Sequence, residues 1–163
     1  MNLTVYSDYA FRTMMLLAVR APGTATIQEI AKQYDISRGH LMVLVHRLGN
    51  QGFLENIRGR GGGVRLAKPA AKIRLDEIVR ATEPNFRMVE CFDRERNRCL
   101  ITKPCRLKRV LDEALSAWMG VLKEHTLADL VDKNPPLTRM LVAMEPEALA
   151  RGRSTARRAR RHT

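Results

Sequence analysis

The sequence predicts a mainly α-helical fold with a small β-hairpin wing: a winged helix-turn-helix followed by a long helix suited to dimerisation. Three features carry that prediction. Two short helical patterns are joined by a turn of a few residues, a glycine-tipped hairpin follows them, and one apolar stripe runs through "RLKRVLDEALSAWMGVLKEH", residues 106–125. At 163 residues and 45% apolar content the chain is about one domain long and can bury a core.

The elements follow in order. Ser7 and Asp8 stand where a first helix would start, and Phe11, Met14, Met15, Leu17 and Ala18 give it an apolar stripe that ends near "APG". Thr26, with Glu29 three residues later, is a capping-box pattern that opens a short second helix whose Ile27, Ile30, Ala31 and Tyr34 share a face. Ser37 is the candidate N-cap of a third helix, in which Leu41, Leu44, Val45 and Leu48 recur at helical spacing until Gly52 stops it. The period then changes. "FLENI" and "GVRLA" are strand-like and flank "RGRGGG", a turn that joins glycine's backbone freedom to positive charge. A compact helix is expected from about Leu75 to Thr82, stopped by Pro84. The long helix from Arg106 keeps Leu107, Val110, Leu111, Leu115, Trp118, Met119 and Leu122 on one side, and so needs a partner surface. A last short helix, "TLADLVDK", begins at Thr126 and is ended by Pro135 and Pro136. The expected division is residues 1–83 as the DNA-binding domain, 84–105 as a cysteine loop, 106–142 as the dimerisation and terminal helices, and 143–163 as a basic tail.

Charge narrows the partner. Lys plus Arg outnumber Asp plus Glu by 29 to 17, giving +12 and a pI near 10.5, which points to a polyanion and most simply to nucleic acid. Six of those charges are arginines of "RGRSTARRARRHT", residues 151–163, a stretch with no acid and no large apolar residue. It reads as a disordered basic arm, either a contact to DNA phosphates or a solvated end. No apolar run approaches the roughly 18 residues of a membrane span, and Asp8 and Arg12 interrupt the start where a signal peptide would be apolar, so a cytoplasmic protein is expected. There is no glycine-rich nucleotide loop and no nucleophile matched to a base, which argues against an enzyme.

In a helix-turn-helix the N-terminal end of the second helix enters the major groove of double-stranded DNA. That places Arg38, Gly39, His40 and, further on, His46 and Arg47 toward the DNA, with Arg38 best suited to a guanine edge. Ser37 and the free N–H groups around it can hold a phosphate, and Thr26, at the start of the preceding helix, is counted with them. The wing adds Arg58, Arg60, Gly62 and Arg65. One winged helix reads too few base pairs to be selective, so a homodimer joined through the long helix is expected.

All three cysteines lie in "ECFDRERNRCLITKPCRL", separated by seven and then five residues. Structural zinc usually takes cysteines two to four residues apart, and that spacing is missing. Cys91, Cys99 and Cys105 can instead wrap an iron-sulfur cluster, which usually takes four protein ligands, so one is absent from the loop. A metal-free thiol switch is the other reading.

"YSDYAFRTMMLLA", "IAKQYDISRGHLMVLVHRL" and "RGRGGGVRLAKP", taken with the three-cysteine loop, resemble the iron-sulfur-cluster winged-helix transcriptional regulators of the IscR and NsrR type. The resemblance covers residues 1 to about 142. "CLITKPCRLKRVLDEAL", "TLADLV" and "NPPL" are most similar to the nitric-oxide-sensing NsrR branch. It implies a repressor that releases operator DNA when its cluster is nitrosylated, with Cys91, Cys99 and Cys105 as metal ligands. The IscR branch carries a histidine soon after its last cysteine, whereas here Cys105 is followed by "RLKRVL". The resemblance therefore implies Asp8, from the other subunit, as the fourth ligand, with Glu90, Asp93, Glu95, a small thiol or water as rivals. A [4Fe-4S] centre is favoured and [2Fe-2S] stays open. A sibling regulator sensing iron-sulfur supply or oxidative stress is the alternative.

Overall fold

In the computed structural model, which describes residues 2–59, 61–132 and 134–143, the first helix, α1 (Val5–Arg20), is the element on which most others pack. It starts earlier than the sequence suggests. Thr4 is the cap residue but makes no side-chain cap bond; its N–H and its hydroxyl donate instead to the Glu83 carboxylate, at 2.7 and 3.0 Å. Ser7, expected at the helix start, is fully buried, donates to Glu83 as well, and lies 2.7 Å from Thr82 Oγ1. The cap is thus tertiary, and no local pattern could announce it. The buried face runs through Met14 and Leu17 as expected, but also takes in Ala10, Thr13 and Leu16, while Phe11, Met15 and Ala18 pack at its edge.

Helix α2 (Ile27–Tyr34) begins with the expected capping box: Glu29 N–H donates to Thr26 Oγ1 at 3.1 Å and Thr26 N–H to Glu29 Oε2 at 2.7 Å. Tyr34 closes it by donating its hydroxyl to the Arg12 carbonyl of α1 at 3.0 Å. Burial pushes that phenol up to about 12, against the pull of Arg12 and Arg20, so it remains a donor at neutral pH. A turn with Asp35 in the left-handed region (φ 52°) leads to α3 (Arg38–Asn50), where Ser37 Oγ accepts from His40 N–H at 3.2 Å. Leu41, Leu44, Val45 and Leu48 face the core, as their spacing requires.

Strands β1 (Leu54–Ile57) and β2 (Gly63–Leu66) pair antiparallel with Leu54 opposite Leu66 and Ile57 opposite Gly63. The hairpin is also tied to the helical part. Ala25 and Val64 exchange two backbone hydrogen bonds, of 3.0 and 2.8 Å, immediately before the α2 cap. A one-residue bridge has no periodicity, which is why the sequence does not reveal it.

Helix α4 (Leu75–Thr82) has the expected bounds, and α5 (Arg106–Lys123) follows the cysteine segment. Leu127 N–H donates to the Ile73 carbonyl at 2.8 Å and Leu75 N–H to the His125 carbonyl at 3.0 Å, fixing the end of α5 and the start of α6 (Leu127–Val131) beside α4. Pro135 and Pro136 do follow the end of α6, but they also open a helix not foreseen, α7 (Pro135–Ala143), whose Leu141 is buried. Proline suits a first helical turn, where its missing N–H has no partner anyway. On α5 only Met119 is buried: Leu111, Leu115, Trp118 and Leu122 are half-buried, and Leu107 and Val110 are exposed. Among the described residues no helix is long and apolar enough to cross a membrane.

Replacing Glu83 by Ala removes the acceptor shared by Thr4 and Ser7, and should lower unfolding free energy in a urea titration by about 1–3 kcal/mol. Glu83→Gln keeps an acceptor oxygen and should lose less.

Candidate nucleic-acid interface and metal centre

The outward face of α3 opens with Arg38, Gly39 and His40, all exposed, and continues to His46, exposed, and Arg47, half-buried. Ser37 is exposed, but its oxygen already accepts the His40 N–H as the cap; Thr26 likewise serves its capping box. Both hydroxyls keep a proton to donate outward. His40 lies beside two tyrosines of α1, with ring centroids 6.1 Å from Tyr6 and 6.4 Å from Tyr9. The first turns of α1 therefore rest on the N-terminal end of α3. Two further residues, Met42 and Val43, stand outside the buried stripe and are exposed, as their offset from Leu41 and Leu44 along the helix requires.

At the wing, Arg58 is exposed, while Arg65 pairs across the hairpin with Glu55 at 2.6 Å. Arg60 lies outside the described residues, as does the basic tail. The tip is shaped by its glycines. Gly59 and Gly61 have φ of 94° and 77°, and a Cβ on Gly62 would run into the Ile57 carbonyl oxygen and within 2.8 Å of that of Gly59. Thr24 donates its hydroxyl to the Gly61 carbonyl at 3.1 Å and steadies the tip.

The cysteine segment is organised by polar side chains rather than by a core. Asp93 is the only residue of 84–105 that is buried; it pairs with Arg87 at 2.6 Å and accepts from Glu95 N–H and Arg96 N–H at 3.1 and 3.4 Å. Glu90 accepts from Arg98 N–H at 2.6 Å. Asn97 accepts from Cys99 N–H at 3.0 Å, and Thr102 donates to the Cys99 carbonyl at 2.7 Å. Two of the rival fourth ligands, Glu90 and Asp93, are thus engaged in shaping the loop, and Glu95 is exposed. Cys91 sits in a single 3-10 turn (Glu90–Phe92), Cys99 in an irregular stretch between two later turns, and Cys105 caps α5, its Sγ accepting from Lys108 N–H at 3.5 Å.

All three thiols are free and half-buried. Among the described residues no three His, Cys, Asp or Glu side chains gather into a metal-holding group, so the single chain does not bring the cysteines and Asp8 together. The donor set nevertheless fits an iron-sulfur centre: three unpaired, accessible thiols on one loop whose backbone is held by few buried contacts. Asp8 is 47% exposed and held by Arg12 of its own helix, at 2.8 Å and 3.0 Å. Such a surface pair is worth only about 0.3–0.5 kcal/mol, so it is easily exchanged for another partner. A cavity of about 350 Å³ lies where the N-terminal segment, residues 83–89 and α5 meet, lined among others by Thr4, Glu83, Phe86 and Trp118.

A model of the Rrf2 family, described as iron-dependent transcriptional regulator, matches residues 3–133. Over 146 residues the chain is 46% identical to the HTH-type transcriptional regulator NsrR of Bacillus subtilis (strain 168), covering 89% of this chain and 100% of that one. Among solved structures, the oxidized form of Staphylococcus aureus CymR matches with a TM-score of 0.67 at 26% identity over 81% of this chain and 97% of that one. T. potens IscR matches with a TM-score of 0.65 at 22% identity over 84% and 90%.

Gly62→Ala should deform the wing tip and lower stability by about 1–3 kcal/mol, since the clash is with backbone and not with a movable side chain. A variant with an unchanged thermal unfolding curve would show that the tip adapts freely.

Proposed function

From the premise that the chain belongs to the Rrf2 family of iron-dependent transcriptional regulators, we propose that it is an iron-sulfur-dependent repressor that releases operator DNA in response to nitric oxide. It is a transcriptional regulator and not an enzyme. The observation that carries the finer reading is the set of three unpaired thiols on one loop, in a chain 46% identical to a protein named NsrR.

Cys91, Cys99 and Cys105 would hold the cluster, with the partner's Asp8 as the fourth ligand. A bound cluster supplies iron that takes nitric oxide, and a carboxylate suits such iron less well than a thiolate. The remaining steps belong to the chain. Asp8, when it holds no metal, would have Arg12 as its partner on its own helix, 2.8 Å away as in this structure. The turn carrying Asp8 also carries Tyr6 and Tyr9, which abut His40 at the start of α3. A change in how α1 is held is therefore passed to the end of the helix that reads DNA.

Two copies would join through α5, whose Leu107 and Val110 are 62% and 54% exposed in the single chain. Arg38, Gly39, His40, His46 and Arg47 would face the major groove, with Ser37 and Thr26 at phosphates and Arg58, Arg60 and Arg65 on the wing. A dimer geometry that misplaces one recognition helix by an energy of about 4 kcal/mol weakens operator binding about a thousandfold.

Nitric oxide titrated into protein purified without oxygen should release an operator duplex in step with loss of visible cluster absorbance. Full retention of DNA after that absorbance has gone would refute the reading, and release by oxygen or iron limitation, but not by nitric oxide, would favour a sibling sensor. Cys99→Ala should abolish the absorbance altogether; colourless wild-type protein that still responds to oxidants would point to a thiol switch.

A further inference from the structure

The core of α3 is satisfied by Leu41, Leu44, Val45 and Leu48, yet the helix carries two more apolar side chains that stand exposed among the described residues. Met42 is 57% exposed and Val43 56% exposed. Helical spacing sets Met42 one turn beyond Arg38 and one turn before His46, on one line along the outward face, and sets Val43 one turn beyond Gly39 on the adjacent line. A Cβ built on Gly39 meets nothing within 4 Å, so the absent side chain is not demanded by packing and leaves room for a surface to approach the helix closely.

What covers this pair follows from its place and its neighbours. It lies within the first two turns of the helix read as entering the major groove, and Arg38 and His46 flank it on the same face. The exposed apolar face that a second copy would cover is on a different element, α5. Within the major groove, base edges offer hydrogen-bond donors and acceptors and one apolar group, the C5-methyl of thymine. Neither a thioether nor an isopropyl group can pair with the polar edges, and both can exclude water from a methyl.

We infer that Met42 and Val43 form an apolar reading pair for thymine methyl groups, and so determine part of the operator sequence. The inference rests on α3 being the recognition helix. One helical turn advances about 5.4 Å, against about 3.4 Å per base pair, so the thymines lie one to two base pairs from the base that Arg38 contacts. Each half-site therefore combines a guanine with neighbouring A·T pairs whose methyls face the protein.

Duplexes enriched from a random pool by the full-length, iron-loaded protein supply the test. Each thymine is replaced in turn by deoxyuridine, which removes the methyl and leaves pairing and hydrogen-bonding groups intact. Wild-type protein should lose about fourfold in affinity at one or more positions per half-site, the effect of uncovering one buried methyl. In the double variant Met42→Ala, Val43→Ala that penalty should vanish, while replacing the guanine assigned to Arg38 should remain as damaging as before. Both sites are on the surface, and a matching thermal unfolding curve verifies the fold of the variant. Equal binding of thymine and deoxyuridine duplexes by wild-type protein, or an undiminished penalty in the variant, overturns the inference and leaves the DNA-binding reading standing. Failure to enrich any duplex overturns the DNA-binding reading itself, and this inference with it.

Discussion

The carboxylate of Glu83, at the end of α4, accepts from the Thr4 backbone, the Thr4 hydroxyl and the Ser7 hydroxyl, and so clamps the first turn of α1 to the point where the cysteine segment begins. Several contacts at this end of the molecule are made from the clamped turns. Tyr6 and Tyr9, in the clamped turns, touch His40 of α3; Asp8 lies between them in sequence; and Arg12, one turn on, holds Asp8 by its side chain and Tyr34 of α2 by its carbonyl. One helix start therefore contacts both the helix-turn-helix, through His40, and the residue that precedes the cysteine segment, Glu83.

The two halves differ in how firmly they are built. The helix-turn-helix and wing are packed around fully buried Met14, Leu17, Ile30, Leu41, Leu44 and Val64, with the Ala25–Val64 bridge sewing the hairpin to the helices. The cysteine segment has one buried residue, Asp93, and is shaped by hydrogen bonds to its own backbone. Segments with few buried apolar contacts open at low free energy, and ligand binding can supply the order they lack. A loop built this way can change its arrangement without unfolding the helical part. The exposed apolar residues of α5, Leu107, Val110 and Val121, and those of α3, Met42 and Val43, are on different elements.

Much of this was legible from residue order because it is local. The capping box of Thr26 and Glu29, the Ser37 cap, the core stripe of α3, the hairpin around "RGRGGG" and the bounds of α4 all depend on residues a few positions apart, and each stands where the pattern places it. What was missed is tertiary. The α1 start depends on Glu83, 79 residues from Thr4; the Ala25 bridge depends on the wing; and α7 uses for its first turn the prolines that read as a stop. At the candidate site, residue type singled out the three thiols, but among the described residues they do not gather into a metal-holding group. The exposure of Met42 and Val43 could not be read from the sequence because apolar character reads as core until burial is known.

Whether the loop truly governs the recognition helices is tested most directly by operator affinity measured without oxygen, first on iron-loaded protein and then on the same preparation after iron is chelated away. Coupling through the clamped start of α1 predicts that the stripped protein binds about a thousandfold more weakly, a difference of about 4 kcal/mol. Equal affinity of the two forms, with iron content confirmed in each, would contradict it.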